Sequence, residues 1–166
     1  MMPGNPRYQP KALQAYFGYD RLYRPAVEVE IAVLHELATR GVVSASDIVF
    51  LTPFVEQRLL DITTTEVDKV EREITKHDVR ALVRLMQDIL PAPLRRWVHV
   101  PLTSYDVLDT ARALQFSRAH QFVVHPKAAR VVELLAEKVI APEDLGETVG
   151  FRCHDSISFN FACHSS

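Results

Sequence analysis

Residues 103–139 read TSYDVLDTARALQFSRAHQFVVHPKAARVVELLAEKV, and this stretch decides the fold class. It opens with Thr103-Ser104-Tyr105-Asp106, the spacing in which a Ser or Thr and an acid three residues later cap the start of a helix. Apolar or small side chains then recur in steps of three and four, at Val107, Ala111, Leu114, Phe122, Ala129, Val132, Ala136 and Val139. Arg118 and His125 take two further places on that stripe, and Pro126 is expected to kink the helix. At about 1.5 Å per residue the element from Ser104 to Val139 would be about 50 Å long. A helix of that length with one apolar stripe needs partner helices to cover it.

The helices upstream can cover part of it, and the stripe left over is expected to drive self-association. Pro25 suits the first turn of a helix that ends at Gly41, and Val27, Ile31, Leu34 and Ala38 mark its apolar face. Ser44 to Leu51 reads as a short turn or helix. Residues 54–90 contain neither proline nor glycine. Within them Phe54–Ile62 and Glu66–Ile74 read as two short helices that could merge. Thr75-Lys76-His77-Asp78 repeats the capping spacing and opens a helix over Val79–Leu90, stopped by Pro91 and Pro93. No strand pattern of comparable strength appears, and no internal repeat. The expected fold class is all-α, with a small helical N-terminal domain over 1–103 and the first long helix of a bundle over 104–139. The remainder, 140–166, is a tail without a clear period, expected to pack poorly.

Composition narrows the function. Nineteen basic against twenty-one acidic side chains give a net charge of −2, so nucleic acid or an anionic membrane is not an expected partner. The five glycines lie at 4, 18, 41, 146 and 150, which excludes a glycine-rich phosphate loop across the bulk of the chain. No apolar run is long enough for a membrane span, and the N-terminus has no signal-peptide core. Both cysteines, Cys153 and Cys163, fall in the tail, so a disulfide framework is not expected and the default compartment is the cytoplasm. Each precedes a histidine, but the gap between the Cys-His pairs does not match a zinc-finger spacing, and no metal is expected.

Two histidines stand in suggestive places. His77 falls in the first turn of an expected helix beside Lys76, where free N–H groups and the helix dipole favour an anion. His99 lies in the proline-bounded segment just before the second cap. Thr103 and Ser104 offer two hydroxyls and first-turn N–H groups that suit a carboxylate. Each residue also has a plain reading as an ordinary helix cap or junction hydrogen bond.

Arg7-Tyr8, Lys76-His77-Asp78-Val79, Trp97-Val98-His99 and Leu102-Thr103-Ser104-x-Asp106-Val107-x-Asp109-Thr110-Ala111 together resemble the adenylosuccinate lyase family of the fumarase/aspartase superfamily. The resemblance runs over roughly residues 7 to 139. Lys76 stands where that family usually has Arg, which keeps the charge and loses the bidentate fork. The resemblance implies a homotetramer of helical bundles that eliminates fumarate from adenylosuccinate, giving AMP, and from the succinyl-carboxamide ribonucleotide of purine synthesis. It implies no cofactor. It also implies that Arg7 and Tyr8 bind substrate at its phosphate, that Lys76, His77 and Asp78 line the same pocket, with His77 catalytic, that His99 orients the substrate and that Thr103 and Ser104 hold a carboxylate. His154, in Arg152-Cys153-His154-Asp155, falls near the expected place of the acid/base histidine, though the residues after it depart from the family pattern. A later serine-containing loop that supplies the base is absent. The chain is therefore expected to be a truncated or frame-shifted lyase, or a piece of a longer one, inactive alone. The competing class is a non-catalytic helical ligand-binding or oligomerisation module. Another superfamily lyase acting on a different succinyl compound is disfavoured by Arg7-Tyr8 and His77-Asp78-Val79.

Overall fold

The computed structural model describes residues 8–140, and the described residues form helices and turns with no strand. The all-α expectation holds. The chain divides into two compact units, Met1–His125 and Pro126–Ser166. In the first, short 3-10 turns at Lys11–Leu13 and Tyr19–Arg21 lead into α1 (Tyr23–Thr39). Then come α2 (Ala45–Ile48), α3 (Pro53–Leu60), α4 (Thr64–Val70), α5 (Asp78–Ile89), α6 (Ala92–Arg95) and α7 (Ser104–Ala119).

Local chemistry accounts for most boundaries. Pro25 sits in the first turn of α1, where its missing N–H costs nothing. Beyond the other end Gly41 takes φ 72°, a left-handed turn that a residue with a Cβ resists. The two short helices stay separate because Thr63 caps α4. Its N–H and hydroxyl both donate to Glu66, at 2.8 and 2.6 Å, and the Glu66 N–H returns a bond to Thr63 Oγ1. A five-residue π turn, Glu71–Thr75, then extends α4.

The core is built on α1 and α5. Tyr23, Val27 and Leu34 of α1 pack in one cluster with Leu59, Val67, Leu82, Met86, Leu90 and Leu94. The partner that lies most extensively against α1 is α7. Its buried line runs in steps of four through Val107, Ala111, Gln115 and Ala119, and the small alanines let the two helices approach. Leu114, expected on the stripe, is only half-buried; the buried place beside it goes to Gln115. The Gln115 amide earns that place by donating to the carbonyls of Tyr16 and Arg21, at 2.9 and 3.0 Å. Arg118 forms a fork on Glu28 of α1, at 3.1 and 2.5 Å, which raises the Arg118 value further.

After α7 the helix does not run on unchanged to Pro126. A π turn over His120–Val124 intervenes, and α8 begins at His125 and runs to Ile140. Pro126 has no N–H and its ring crowds the carbonyl four residues back, and the widened turn falls on the residues just before it. The second unit is represented by α8, where Val131, Val132, Leu134 and Leu135 are exposed. Among the described residues no helix is long and apolar enough to cross a membrane.

Candidate functional site

The sequence-marked residues gather at two helix starts. The first is the start of α5, and it differs from expectation. An N-cap needs an extended backbone, but Thr75 still belongs to the π turn, so it cannot cap α5. Its hydroxyl instead donates to the His77 carbonyl at 2.9 Å. His77 takes the cap position itself, with φ −156° and ψ 128°, rather than a place in the first turn. Lys76 turns left-handed at φ 55°, and its ammonium donates back to the Arg72 carbonyl at the end of the π turn. The Asp78 carboxylate accepts the Val79 N–H at 2.7 Å and lies 3.1 Å from His77 Nδ1. The protein's own acid therefore already occupies part of the anion-favouring end of α5.

Around that corner lies a depression of about 540 Å³ lined by Tyr19, Asp68, Glu71, Arg72 and Lys76. Tyr19 donates to Asp68 at 2.8 Å. Burial pushes the Tyr23 hydroxyl far above its usual value, helped by Tyr19 and by the carboxylates Asp78 and Glu71. Tyr19 is pulled down by a hydrogen bond with Tyr23, but Asp68, burial and Glu71 outweigh it and leave it raised. Neither phenol ionises near neutral pH, so both serve as hydrogen-bonding groups.

The second group stands at the start of α7. His99 has φ 64°, a left-handed conformation that costs a non-glycine residue on the order of 1 kcal/mol. What holds it there is Glu30, which belongs to none of the sequence motifs. The carboxylate of Glu30 accepts the His99 backbone N–H at 2.9 Å and faces Nδ1 at 2.7 Å. Its side chain is 1% exposed, against 22% for His99. One signal in the sequence pointed to it: Glu30 falls between Val27 and Leu34 on the face of α1 that must be buried, where an acid requires a partner.

Thr103 caps α7 as expected. Its N–H and hydroxyl both donate to Asp106, at 2.7 and 2.8 Å. Those two bonds, backbone first, hold the Asp106 carboxyl below its ordinary range, with His99 a further small influence. The Thr103 hydroxyl proton is thus committed, whereas Ser104 Oγ meets no hydrogen-bond partner among the described residues. A carboxylate docking here would take the Ser104 hydroxyl and first-turn N–H groups, with Asp106 as an unfavourable neighbour.

This arrangement carries a sign for acid stability. Because the folded Asp106 value lies below the ordinary 3.8, its stabilisation is complete above that pH and is lost as pH falls through the lowered folded value. Asp106→Asn is expected to be less stable than the parent at neutral pH. The gap should hold down to about pH 4 and close below it. Urea midpoints across a pH series check this; a gap that persists in strong acid would count against the cap.

The two groups share α1 as their floor. Tyr23, which feels Asp78, and Glu30, which grips His99, lie two helical turns apart on its buried face, about 10 Å along the axis. No hydrogen bond or ion pair joins the two groups directly among the described residues. Tyr8 is 74% exposed. Arg7, His154, Cys153 and Cys163 lie outside the described residues, as does the 141–166 tail. Among the described residues no cluster of His, Cys, Asp and Glu suits a metal ion.

No family model matches the chain. Individual proteins do. Over 147 residues, 87% of its length, the chain is 32% identical to the adenylosuccinate lyase of Archaeoglobus fulgidus. The chain resembles adenylosuccinate lyases. The Bacillus subtilis adenylosuccinate lyase is 30% identical over 132 residues, and that of Staphylococcus saprophyticus 29% identical over the same length, each match covering 80% of this chain. The chain spans only 29% to 31% of the length of these adenylosuccinate lyases. The resemblance expected from the Arg-Tyr, His-Asp-Val, Trp-Val-His and Thr-Ser blocks is shown over most of the chain.

Proposed function

We propose that the chain carries one wall of the substrate site of a lyase that eliminates fumarate from adenylosuccinate, leaving AMP, and from the succinyl-carboxamide ribonucleotide. The observation that carries this reading is the similarity to adenylosuccinate lyases over 87% of the chain. The geometry supports it in detail. Ser104 and the first N–H groups of α7 would hold a substrate carboxylate, with Thr103 shaping that turn through Asp106. His99, fixed from behind by Glu30, would orient the substrate. Arg7, Tyr8 and Lys76 would meet the phosphate, and at the other helix start His77 would serve proton transfer with Asp78 lining the pocket beside it. Lys76 must leave the Arg72 carbonyl to do so, which its long flexible stem permits. His154 remains a candidate acid in this scheme. No cofactor is part of it, and the compartment we assign is the cytoplasm.

The test is a titration of the chain with adenylosuccinate, followed by amide shifts in NMR. Saturable shifts at Ser104 and Tyr105, lost in Ser104→Ala, are expected. Absence of any shift at millimolar ligand would overturn the reading and leave the non-catalytic oligomerisation module in its place.

The wall would be completed by further copies, as the tetramer implied by the resemblance requires. Phe122 and Val132 are 61% and 65% exposed. Apolar surface removed from water is worth about 25 cal/mol per Å². The purified chain is expected to sediment as a species larger than a monomer at micromolar concentration. Phe122→Glu combined with Val132→Glu should shift it toward monomer without loss of helix content. A parent chain that already sediments as a compact monomer would show that no such association occurs.

A further inference from the structure

The Glu30–His99 contact fixes more than a side-chain position. A carboxylate can only accept hydrogen bonds, and Glu30 uses one oxygen on the His99 backbone N–H and the other on Nδ1. Nδ1 must therefore carry a proton. In the neutral ring this leaves Nε2 with its lone pair, and among the described residues Nε2 meets no hydrogen-bond partner. The double grip also holds the left-handed backbone of His99, so ring orientation and protonation pattern are set by one buried acid.

We propose that Glu30 is a positioning residue that keeps His99 in the Nδ1–H form, so that Nε2 accepts a hydrogen bond from an N–H or O–H group of the bound ligand. This rests on the nucleotide-site reading above and refines it. His99 is matched to an amino or hydroxyl group, such as those of a purine or ribose, while the anionic groups fall to the helix starts and Arg7.

The substitution that separates this from a structural role is Glu30→Gln. The His99 backbone N–H needs an acceptor, so the new amide oxygen faces it and the amide NH₂ faces Nδ1. Nδ1 then has to accept, and the proton moves to Nε2. Nitrogen-15 NMR of the full chain, at a pH about two units above the ordinary imidazole value, reads which ring nitrogen is protonated. The parent is expected to show Nδ1–H and Glu30→Gln the reversed pattern. Nε2–H in the parent overturns the proposal by itself, whether or not the variant folds, and so does an unreversed pattern in a folded variant. Titration with AMP is the second arm: affinity should fall roughly tenfold in Glu30→Gln, because Nε2 then presents a donor to a donor. If AMP leaves the His99 nitrogens unmoved in a parent with the Nδ1–H pattern, the nucleotide reading fails while the role of Glu30 in fixing the ring stands.

Discussion

A solution of the 166-residue chain and adenylosuccinate is expected to release no fumarate above a matched His77→Ala control. Elimination starts with removal of a proton from carbon beside a carboxylate and ends with protonation of the leaving nitrogen. A positioned acid or base contributes roughly a hundredfold to ten-thousandfold to such a step. The histidines at the two helix starts are held at Nδ1 by Glu30 and Asp78, and the proposed scheme gives neither of them the carbon-bound proton. The resemblance assigns the base to a serine-containing loop that these residues do not include, and the chain spans 31% of the Archaeoglobus fulgidus lyase. Without a positioned base that factor is lost. Absorbance of fumarate over hours, against the His77→Ala control, is the measurement. Steady release above that control would mean that the chain assembles a complete catalytic set.

The second large effect is on stability. Leu82→Ala is expected to cost about 3 kcal/mol. Leu82 is 0% exposed in the middle of α5, in one cluster with Leu59, Val67 and Met86 from three successive helices. Removing its branched end loses the transfer free energy of the missing methyl groups. It also leaves a hole that helices fixed on several sides cannot collapse to fill. A unit of this size has a stability of only about 5–15 kcal/mol, so the loss is a large share of the whole. Leu135→Ala on α8, 55% exposed, is the control and should change stability by less than about 0.5 kcal/mol. Chemical denaturation of both variants compares them; equal losses would show that α5 is not the centre of the core.

The sequence was most legible where one local rule acts alone. Pro25 and Gly41 bracket α1 because the missing N–H and the missing Cβ act on the backbone regardless of what packs nearby. Thr103 and Asp106 cap α7 for the same reason. Thr75 and Asp78 have the same spacing and fail, since the π turn reaches Thr75 first and denies it an extended backbone. That turn carries the helix of α4 on to Thr75, which the capping spacing alone does not encode. The partner of Glu30 is not readable from the sequence because it lies 69 residues away. Its place on an apolar face showed that something must satisfy it, and only the folded chain shows that His99 does. The candidate site was thus legible in its outward-facing residues and not in the acid behind them.

Gln115 decides where a distant piece of backbone lies. Its one amide nitrogen reaches carbonyls 99 and 94 residues earlier in the chain. The stretch from Tyr16 to Arg21 is therefore tied to α7 by this amide, alongside the contact of the Phe17 ring with Phe116, whose centroids lie 5.0 Å apart. Changing that nitrogen to oxygen, as deamidation does, would set a carboxylate against two carbonyls and turn the mooring into a repulsion. The slow chemical ageing of one side chain would then loosen the turn from Tyr16 to Arg21 without touching any residue in it.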